Sequence, residues 1–266
     1  MIDAPETPQD VSVDRMPTRV GLDLQERCGI VTLNAPPLNI FDLDLIRDFR
    51  TALKAIRQGG AAVVVLRSSA PQAFSSGVDV RIHTPEFAPQ MLKRFHDLVR
   101  AIDKADAVFI GVVDGVCLGG GLELALSCDF VIASPSSVFG FPEIDLGCFP
   151  PVAAALLPRL APRAAADIVL TGRRFGAGEA LRQGLLHRIH QDPDAAARDL
   201  VAVLLSKSGH ALARARRALR LGRRGSVSSA IARIERLYAR EIVPSKDAAE
   251  GVAAFLEKRP PSWHHE

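Results

Sequence analysis

The sequence predicts an α/β fold in which buried β-strands alternate with helices. Three continuous apolar runs, at 61–66, 109–113 and 130–133, are typical of strands that are covered on both faces. Helical patterns separate these runs, as crossover connections between parallel strands require. From residue 153 onward the pattern is mostly helical, so we expect a sheet-based core followed by a helical C-terminal region.

The elements of the first half follow from local patterns. Alternation over 20–33 predicts two strands of a hairpin or meander, and the Asn-Ala-Pro-Pro turn at 34–37 ends them. Asp42 is expected to open an amphipathic helix that the glycines at 59–60 terminate. The apolar face of that helix carries Leu45, Ile46, Phe49, Leu53 and Ile56. A further helix is predicted around 89–104.

Composition limits the classes of protein to which this chain can belong. Its 266 residues are 48% hydrophobic and 24% charged, which is ordinary for a globular protein and excludes extensive disorder. The net charge of +3 suits an anionic small ligand but is too small to indicate nucleic acid by itself. No uncharged apolar run of about 18 residues is present, so a membrane-spanning helix is not expected.

Cysteine usage and the first residues indicate a reducing compartment. Cys28, Cys117, Cys128 and Cys148 show no CxxC spacing, which argues against a disulfide framework and against a structural zinc site. Residues 1–17 carry acids and prolines instead of the basic and apolar regions of a secretory signal. We therefore expect a cytoplasmic protein whose segment 1–17 is flexible.

Two segments combine turn residues with groups that can do chemistry. The first, Phe74-Ser75-Ser76-Gly77-Val78-Asp79, follows a buried strand. The second runs from a strand through Gly119-Gly120-Gly121 into a short helix over 122–127, with Glu123 in its first turn. Glycines let the backbone approach a ligand closely, and bare N–H groups at a helix N-terminus stabilise an oxyanion. A second acid, Glu143, lies just past the following strand.

Simpler explanations exist for these features. A glycine triplet between a strand and a helix also forms an ordinary tight turn. The triplet matches a dinucleotide-binding fingerprint only in part, because Leu124 stands where the third glycine is needed. His187 and His190 have no third metal ligand nearby. The arginines of 214–224 are typical of a solvated helix face, although they could contact phosphates.

Taken together, the spaced motifs resemble the enoyl-CoA hydratase/isomerase (crotonase) superfamily. The resemblance rests on FSSGVD at 74–79, GVCLGGGLELALSCD at 115–129, FGFPEIDLG at 139–147 and a terminal helix at 250–259. It implies an acyl-CoA thioester as the substrate. It implies no metal and no further cofactor, because CoA is part of the substrate.

The same resemblance implies an architecture and an assembly. A spiral ββα core domain is expected over 18–189, followed by a helical trimerisation region over 190–266. Members commonly assemble as a trimer or a dimer of trimers, so we expect a homo-oligomer.

The resemblance also implies roles for individual residues. By motif position, the backbone N–H groups of Val78 and Gly120 form an oxyanion hole, and Glu123 and Glu143 act on water and substrate. Which of the two glutamates is the acid stays open. Residues expected to contact the substrate are Ser76, Gly77, Phe141, Phe149, Pro151, Arg81 and Lys258.

Pro151 departs from the pattern of many hydratases, which have a glycine there whose N–H helps to hold the catalytic water. Proline has no N–H, so the water must be held differently. The stretch FPPVAAALLPR at 149–159 resembles hydratases of cyclic dienoyl-CoA thioesters, and bulky Phe141, Phe149 and Pro151 suit a ring.

Two alternatives to a hydratase stay open. Family members that only isomerise a double bond often keep a single acid at the position of Glu143, so the presence of Glu123 as well favours hydration over isomerisation. A non-catalytic homologue that binds acyl-CoA or RNA is the alternative from another class, and both intact glutamates argue against it.

Overall fold

The computed structural model describes residues 19–223 and 225–266. The expected flexible segment 1–17 lies outside the described residues. Strands are β1 Val20–Gln25, β2 Cys28–Leu33, β3 Val63–Ser68, β4 Ala73–Ser75, β5 Val108–Val113, β6 Val116–Leu118, β7 Phe130–Ala133, β8 Val138–Gly140, β9 Arg174–Gly176 and β10 Arg188–Ile189. Helices are α1 Leu43–Gln58, α2 Ala88–Lys104, α3 Gly120–Leu126, α4 Pro151–Leu160, α5 Ala165–Thr171, α6 Ala177–Arg182, α7 Pro193–Leu205, α8 Gly209–Gly222, α9 Val227–Leu237 and α10 Lys246–Leu256.

Two sheets form the core of the molecule and confirm the α/β class. The larger sheet has the order β1-β2-β3-β5-β7-β10, and its strands are parallel except for the β1–β2 hairpin. The smaller sheet has the order β4-β6-β8-β9, with β4, β6 and β8 parallel and β9 antiparallel to β8. Each of β3, β5 and β7 is thus followed by a short strand of the second sheet. This repeated strand-strand-helix unit places the ends of β4, β6 and β8 side by side.

The local predictions for the first half are confirmed. Residues 20–33 form the antiparallel hairpin, in which Gln25 pairs with Cys28. The Asp42 carboxylate caps α1 by accepting the N–H groups of Asp44 and Leu45, and Gly59 is the C-cap. Helix α3 begins at Gly120, two residues earlier than expected from 122–127, because the Gly119 backbone turns the incoming strand directly into the helix.

The short strands of the second sheet escaped the sequence analysis. They span only three residues each, too few for an alternating pattern to be recognised. Most residues of β4, β6 and β8 are nevertheless buried, and Phe74 and Phe139 are fully enclosed in the larger hydrophobic core. Among the described residues, no helix combines the length and the apolar character needed to cross a membrane.

Arg216 joins the C-terminal helices to the core. Its side chain is only 4% exposed and forms an ion pair with Asp129. Its guanidinium also donates to the backbone oxygens of Ile102, Asp103 and Ala105 at the end of α2, at 3.0, 3.1 and 2.6 Å. The prediction that the arginines of 214–224 form a solvated face is therefore wrong for Arg216.

Three other arginines of this stretch also have partners, among them Arg220, whose Nη1 donates to Ala105 O at 3.4 Å. Arg214 and Arg217 form ion pairs with Glu241, and Arg224 lies outside the described residues. The division of the chain into domains at 189 and 190 stays a prediction, although α8 packs against β5 of the core through Arg216 and its neighbours.

Replacing Arg216 with methionine is expected to destabilise the protein by about 3–5 kcal/mol, because Asp129 would be left in a half-buried site without its partner. Urea denaturation followed by circular dichroism measures the loss. Arg217→Met is the matched control, since Arg217 is 48% exposed and its ion pair is worth about 1 kcal/mol or less. Equal losses for the two variants would contradict the structural role of Arg216.

Candidate active site

A cavity of about 380 Å³ lies where the loops after β4, β6 and β8 meet α2. The loop after β4 contributes 76–78, and the start of α3 contributes Gly119, Gly120 and Glu123. Glu143 comes from the 3₁₀ turn Pro142–Leu146 that follows β8. The fold therefore brings the two separate sequence motifs and both glutamates to one cavity.

Two backbone N–H groups at the wall of this cavity are free to bind an acceptor. The amide of Phe41 donates to Gly77 O and the amide of Asp79 donates to Phe41 O, which leaves Val78 N–H between them without a partner. Gly120 is the first residue of α3, where a backbone N–H has no intrahelical acceptor. Among the described residues, no protein atom accepts a hydrogen bond from either amide.

Close packing explains why glycine is required here. A Cβ atom at Gly120 would lie 2.8 Å from Val78 Cγ2, and one at Gly119 would lie 2.6 Å from Glu143 Oε1. Gly119 also has φ of +51°, a conformation that strains other residues. The glycines therefore let the loop after β4 and the Glu143 side chain approach the start of α3.

Glu123 is buried and held by the first turn of α4. Its side chain is 3% exposed, and Oε1 accepts hydrogen bonds from Val152 N at 2.8 Å and Ala153 N at 2.9 Å. Burial raises the pKa of Glu123 to about 7, with a further contribution from the charge of Glu143, while the two N–H groups oppose the rise. Both protonation states are thus accessible near neutral pH.

The Glu143 carboxyl group has fewer hydrogen-bond partners than that of Glu123. The Oε2 atom of Glu143 is buried and has no hydrogen-bond partner among the described residues. Burial raises the pKa of Glu143 to about 7 as well, opposed by a hydrogen bond from its own backbone N–H. Carboxyl groups with such raised pKa values at one cavity are typical of acid–base sites.

Four of the seven residues expected to contact the substrate line the cavity, namely Ser76, Gly77, Phe149 and Pro151. The other three do not reach its wall. Phe141 is fully enclosed in the core. The Arg81 side chain is 86% exposed and pairs with Asp79, and Lys258 lies just beyond the end of α10. Contact of these three side chains with a substrate stays a prediction.

The sequence analysis missed the wall that α2 supplies. Ala88, Met91, Leu92, Phe95 and His96 line the cavity. Their spacing is that of one face of a helix, so the periodicity that predicted the helix also contained this information. It could not show that this face meets the two motifs, because that contact depends on the packing of the sheets.

Among the described residues, no group of three or more His, Cys, Asp or Glu side chains is arranged to hold a metal ion. His187 packs edge-on against the Phe130 ring. The Nδ1 atom of His190 lies 2.7 Å from the backbone oxygen of Asp192.

Comparison with known proteins agrees with the sequence motifs. A family model described as enoyl-CoA hydratase/isomerase matches residues 23–266. The chain belongs to the enoyl-CoA hydratase/isomerase family. Among its relatives is the cyclohexa-1,5-dienecarbonyl-CoA hydratase of Thauera aromatica, 36% identical over 251 residues, which cover 94% of this chain and 97% of the relative. A probable enoyl-CoA hydratase of Rhizobium meliloti is 34% identical, covering 92% and 97%.

Solved structures of this family share the fold. An enoyl-CoA hydratase from Bacillus anthracis superposes with a TM-score of 0.88 at 26% identity, covering 93% of this chain and 100% of that one. An enoyl-CoA hydratase from Mycobacterium smegmatis gives 0.87 at 27% identity, covering 94% and 100%. The crotonase fold is thereby confirmed, and the chain is an enzyme of the enoyl-CoA hydratase type.

Burial of Glu123 makes the stability of this family member depend on pH. The folded protein keeps a proton up to about pH 7 that the unfolded chain releases above its ordinary pKa of 4.5. The free energy of unfolding therefore falls as pH rises across this window. Glu123→Gln cannot ionise, so its free energy of unfolding does not fall in this way. The difference in free energy of unfolding between the variant and wild type should therefore shift in favour of the variant by about 2 kcal/mol from pH 5 to pH 8.

Urea denaturation at the two pH values measures this gain. Glu179→Gln is the control, because a hydrogen bond from Arg173 lowers the pKa of Glu179. The ionised form of Glu179 stabilises the fold, so its replacement gives no gain at pH 8. A pH-independent difference between Glu123→Gln and wild type would show that Glu123 is not protonated in the folded state at pH 5.

Proposed function

We propose that this enzyme adds water reversibly to the C2–C3 double bond of an α,β-unsaturated acyl-CoA thioester. One observation carries the proposal: two backbone N–H groups without acceptors among the described residues, the buried Glu123 and the half-buried Glu143 line the same cavity. Hydration of a conjugated thioester needs a site for negative charge on the carbonyl oxygen, a base for water and an acid for carbon. The cavity contains a candidate for each need.

The N–H groups of Val78 and Gly120 serve in this proposal as the oxyanion hole. When water attacks C3, electrons move through C2 and C1 onto the thioester oxygen. Donors fixed in advance at that oxygen stabilise the charge as it grows, and a single donor of this kind is worth roughly 10²–10³-fold in rate. The position of Gly120 at the start of α3 adds the positive end of the helix dipole.

The surroundings of the carboxyl groups favour Glu123 as the base and Glu143 as the acid. Glu123 accepts two backbone N–H bonds, which stabilise its ionised form. Glu143 has a buried oxygen without a donor, which favours its protonated form. Glu123 takes a proton from water as the oxygen bonds to C3, and Glu143 gives its proton to C2. The other water proton stays on the new hydroxyl group at C3, and the proton that Glu123 has taken passes to Glu143 before the next turnover.

In this proposal the two glutamates hold the water, because Pro151 cannot donate a backbone hydrogen bond to it. Pro151 is the first residue of α4 and has no N–H. The next two amides, of Val152 and Ala153, are engaged by Glu123 Oε1. We infer that the water is bound between Glu123 and Glu143 rather than by a backbone amide of this turn.

A cyclic dienoyl-CoA is the substrate that we favour. The relative from Thauera aromatica is named for such a substrate, and the cavity wall beside Glu143 is formed by Leu146, Phe149 and Pro151. Phe149 is 61% exposed in the described chain, so its ring is available to a flat acyl group. Phe141, which is enclosed in the core, is not part of this wall.

Self-association is proposed from an exposed apolar face on the C-terminal helices. Large apolar side chains remain exposed there, at Val227, Ile231, Tyr238, Val243, Val252, Phe255 and Leu256. Ile231, Tyr238 and Val243 line one shallow depression, and clustered exposed apolar side chains of this kind are typical of an interface. We propose a homotrimer, alone or as a dimer of trimers.

We also propose that Arg81 and Lys258 contact the phosphates of CoA.

Replacing either glutamate with glutamine is expected to lower the hydration rate by about 10²–10⁴-fold, because each variant lacks one proton-transfer group. Loss of the conjugated enoyl absorbance and a mass gain of one water measure the rate. Glu86→Gln, on an exposed loop outside the cavity, is the control. Full hydration by Glu123→Gln would contradict the scheme, and double-bond migration without a gain in mass would favour the isomerase.

The size of the acyl group is tested with linear and cyclic enoyl-CoA thioesters. Phe149→Ala should raise KM for a cyclic diene by about tenfold, because a large apolar contact is removed, and it should affect a short linear substrate less. Leu170→Ala, a truncation of an exposed apolar residue outside the cavity, is the control. Equal effects on both substrates would argue against a ring-binding wall.

A further inference from the structure

A further ionisable side chain, His96, belongs to the wall of the proposed catalytic cavity. Helix α2 presents Ala88, Met91, Leu92, Phe95 and His96 to this space. Four of these five side chains are apolar, so His96 is the polar group on this wall. It matches no part of the two motifs that carry the family resemblance.

One ring nitrogen of His96 is without a partner in the described part of the chain. Its Nε2 atom is shielded from solvent and makes no hydrogen bond among the described residues. His83, on the same cavity, differs because its Nδ1 lies 3.0 Å from Asp79 O. A buried polar atom without a partner is unfavourable, and at the wall of a ligand cavity a bound ligand is a natural source of the missing hydrogen bond.

Neither glutamate of the cavity is among the charges that act on His96, so we place its side chain beside acyl carbons beyond the double bond rather than between the glutamates. Its charged neighbours are Arg100 and Asp97 on its own helix, whereas Glu123 interacts with Glu143. The adjacent Phe95 ring would lie 3.2 Å from a Cβ at Gly120, so this face of α2 runs past the oxyanion site. Burial and the Arg100 charge lower the pKa of His96, which favours a neutral imidazole with one donor and one acceptor nitrogen.

We propose that His96 is a specificity residue that forms a hydrogen bond with an oxygen on the acyl group, at a carbon beyond the double bond. A ring turn about Cβ–Cγ exchanges the positions of nitrogen and carbon atoms, so the imidazole can offer either edge to such an oxygen. The enzyme thereby prefers hydroxylated or oxo-substituted acyl groups over hydrocarbon groups of the same shape. This inference rests on the proposed function, because it names the acyl class that the same cavity takes.

The test uses pairs of enoyl-CoA thioesters, linear and cyclic, that differ only by a hydroxyl group on a carbon beyond the double bond. Wild-type enzyme should have a higher kcat/KM for the hydroxylated member, by about tenfold for one hydrogen bond. His96→Leu should lower this ratio to about one, and His96→Gln, which keeps a donor and an acceptor, should restore part of it. Lys93→Leu, on α2 but outside the cavity, should keep the wild-type ratio.

A second measurement separates this inference from the proposed chemistry. Calorimetric binding of the corresponding saturated thioesters, with and without the hydroxyl group, gives the same ratio without any turnover. Failure of both glutamate variants to slow hydration would overturn the proposed mechanism and leave the binding ratio intact. A ratio of one for wild type, or the same ratio in wild type and a folded His96→Leu, would overturn the role of His96.

Discussion

The hydrogen bonds between Glu123 and the first turn of α4 are the contact on which the site depends. They join the helix of one strand-strand-helix unit to the helix of the next, with a carboxylate that is only 3% exposed. Burial of a carboxylate is unfavourable without such donors, and the first amides of a helix are donors that the helix itself cannot use. The same contact holds the base that we propose in place. It also occupies two backbone amides that could otherwise bind water.

The second sheet explains why three distant loops meet. Strands β4, β6 and β8 are neighbours and parallel, so their following loops emerge at one edge. The first loop carries Val78, the second carries Gly120 and Glu123, and the third carries Glu143. Three-residue strands are long enough for this purpose because they pack against the longer strands of the first sheet.

Polar contacts attach the C-terminal helices to this core and leave an apolar face exposed. Arg216 binds three carbonyl oxygens at the end of α2 and pairs with Asp129. Because these donors satisfy a helix end inside the protein, α8 is fixed in orientation as well as in position. The exposed apolar residues of α9 and α10 form the surface on which we propose self-association.

The sequence by itself determined the elements whose information is local. Apolar runs identified β3, β5 and β7, Asp42 identified the start of α1, and the spaced motifs identified the family. The same motifs contain Val78, Gly120, Glu123 and Glu143, which line one cavity and whose roles stay a prediction. Each of these features depends on residues that are close together in the chain, so its pattern can be recognised in the sequence before the fold is known.

Tertiary structure alone decided which side chains share a surface. Phe141 and Phe149 are both phenylalanines close to Glu143 in the sequence. Phe141 is nevertheless enclosed in the core, whereas Phe149 is 61% exposed beside the cavity. His96 faces the cavity and Arg216 is buried because their helices pack against strands far away in the chain. Periodicity shows that a helix has faces, whereas only long-range packing determines what each face contacts.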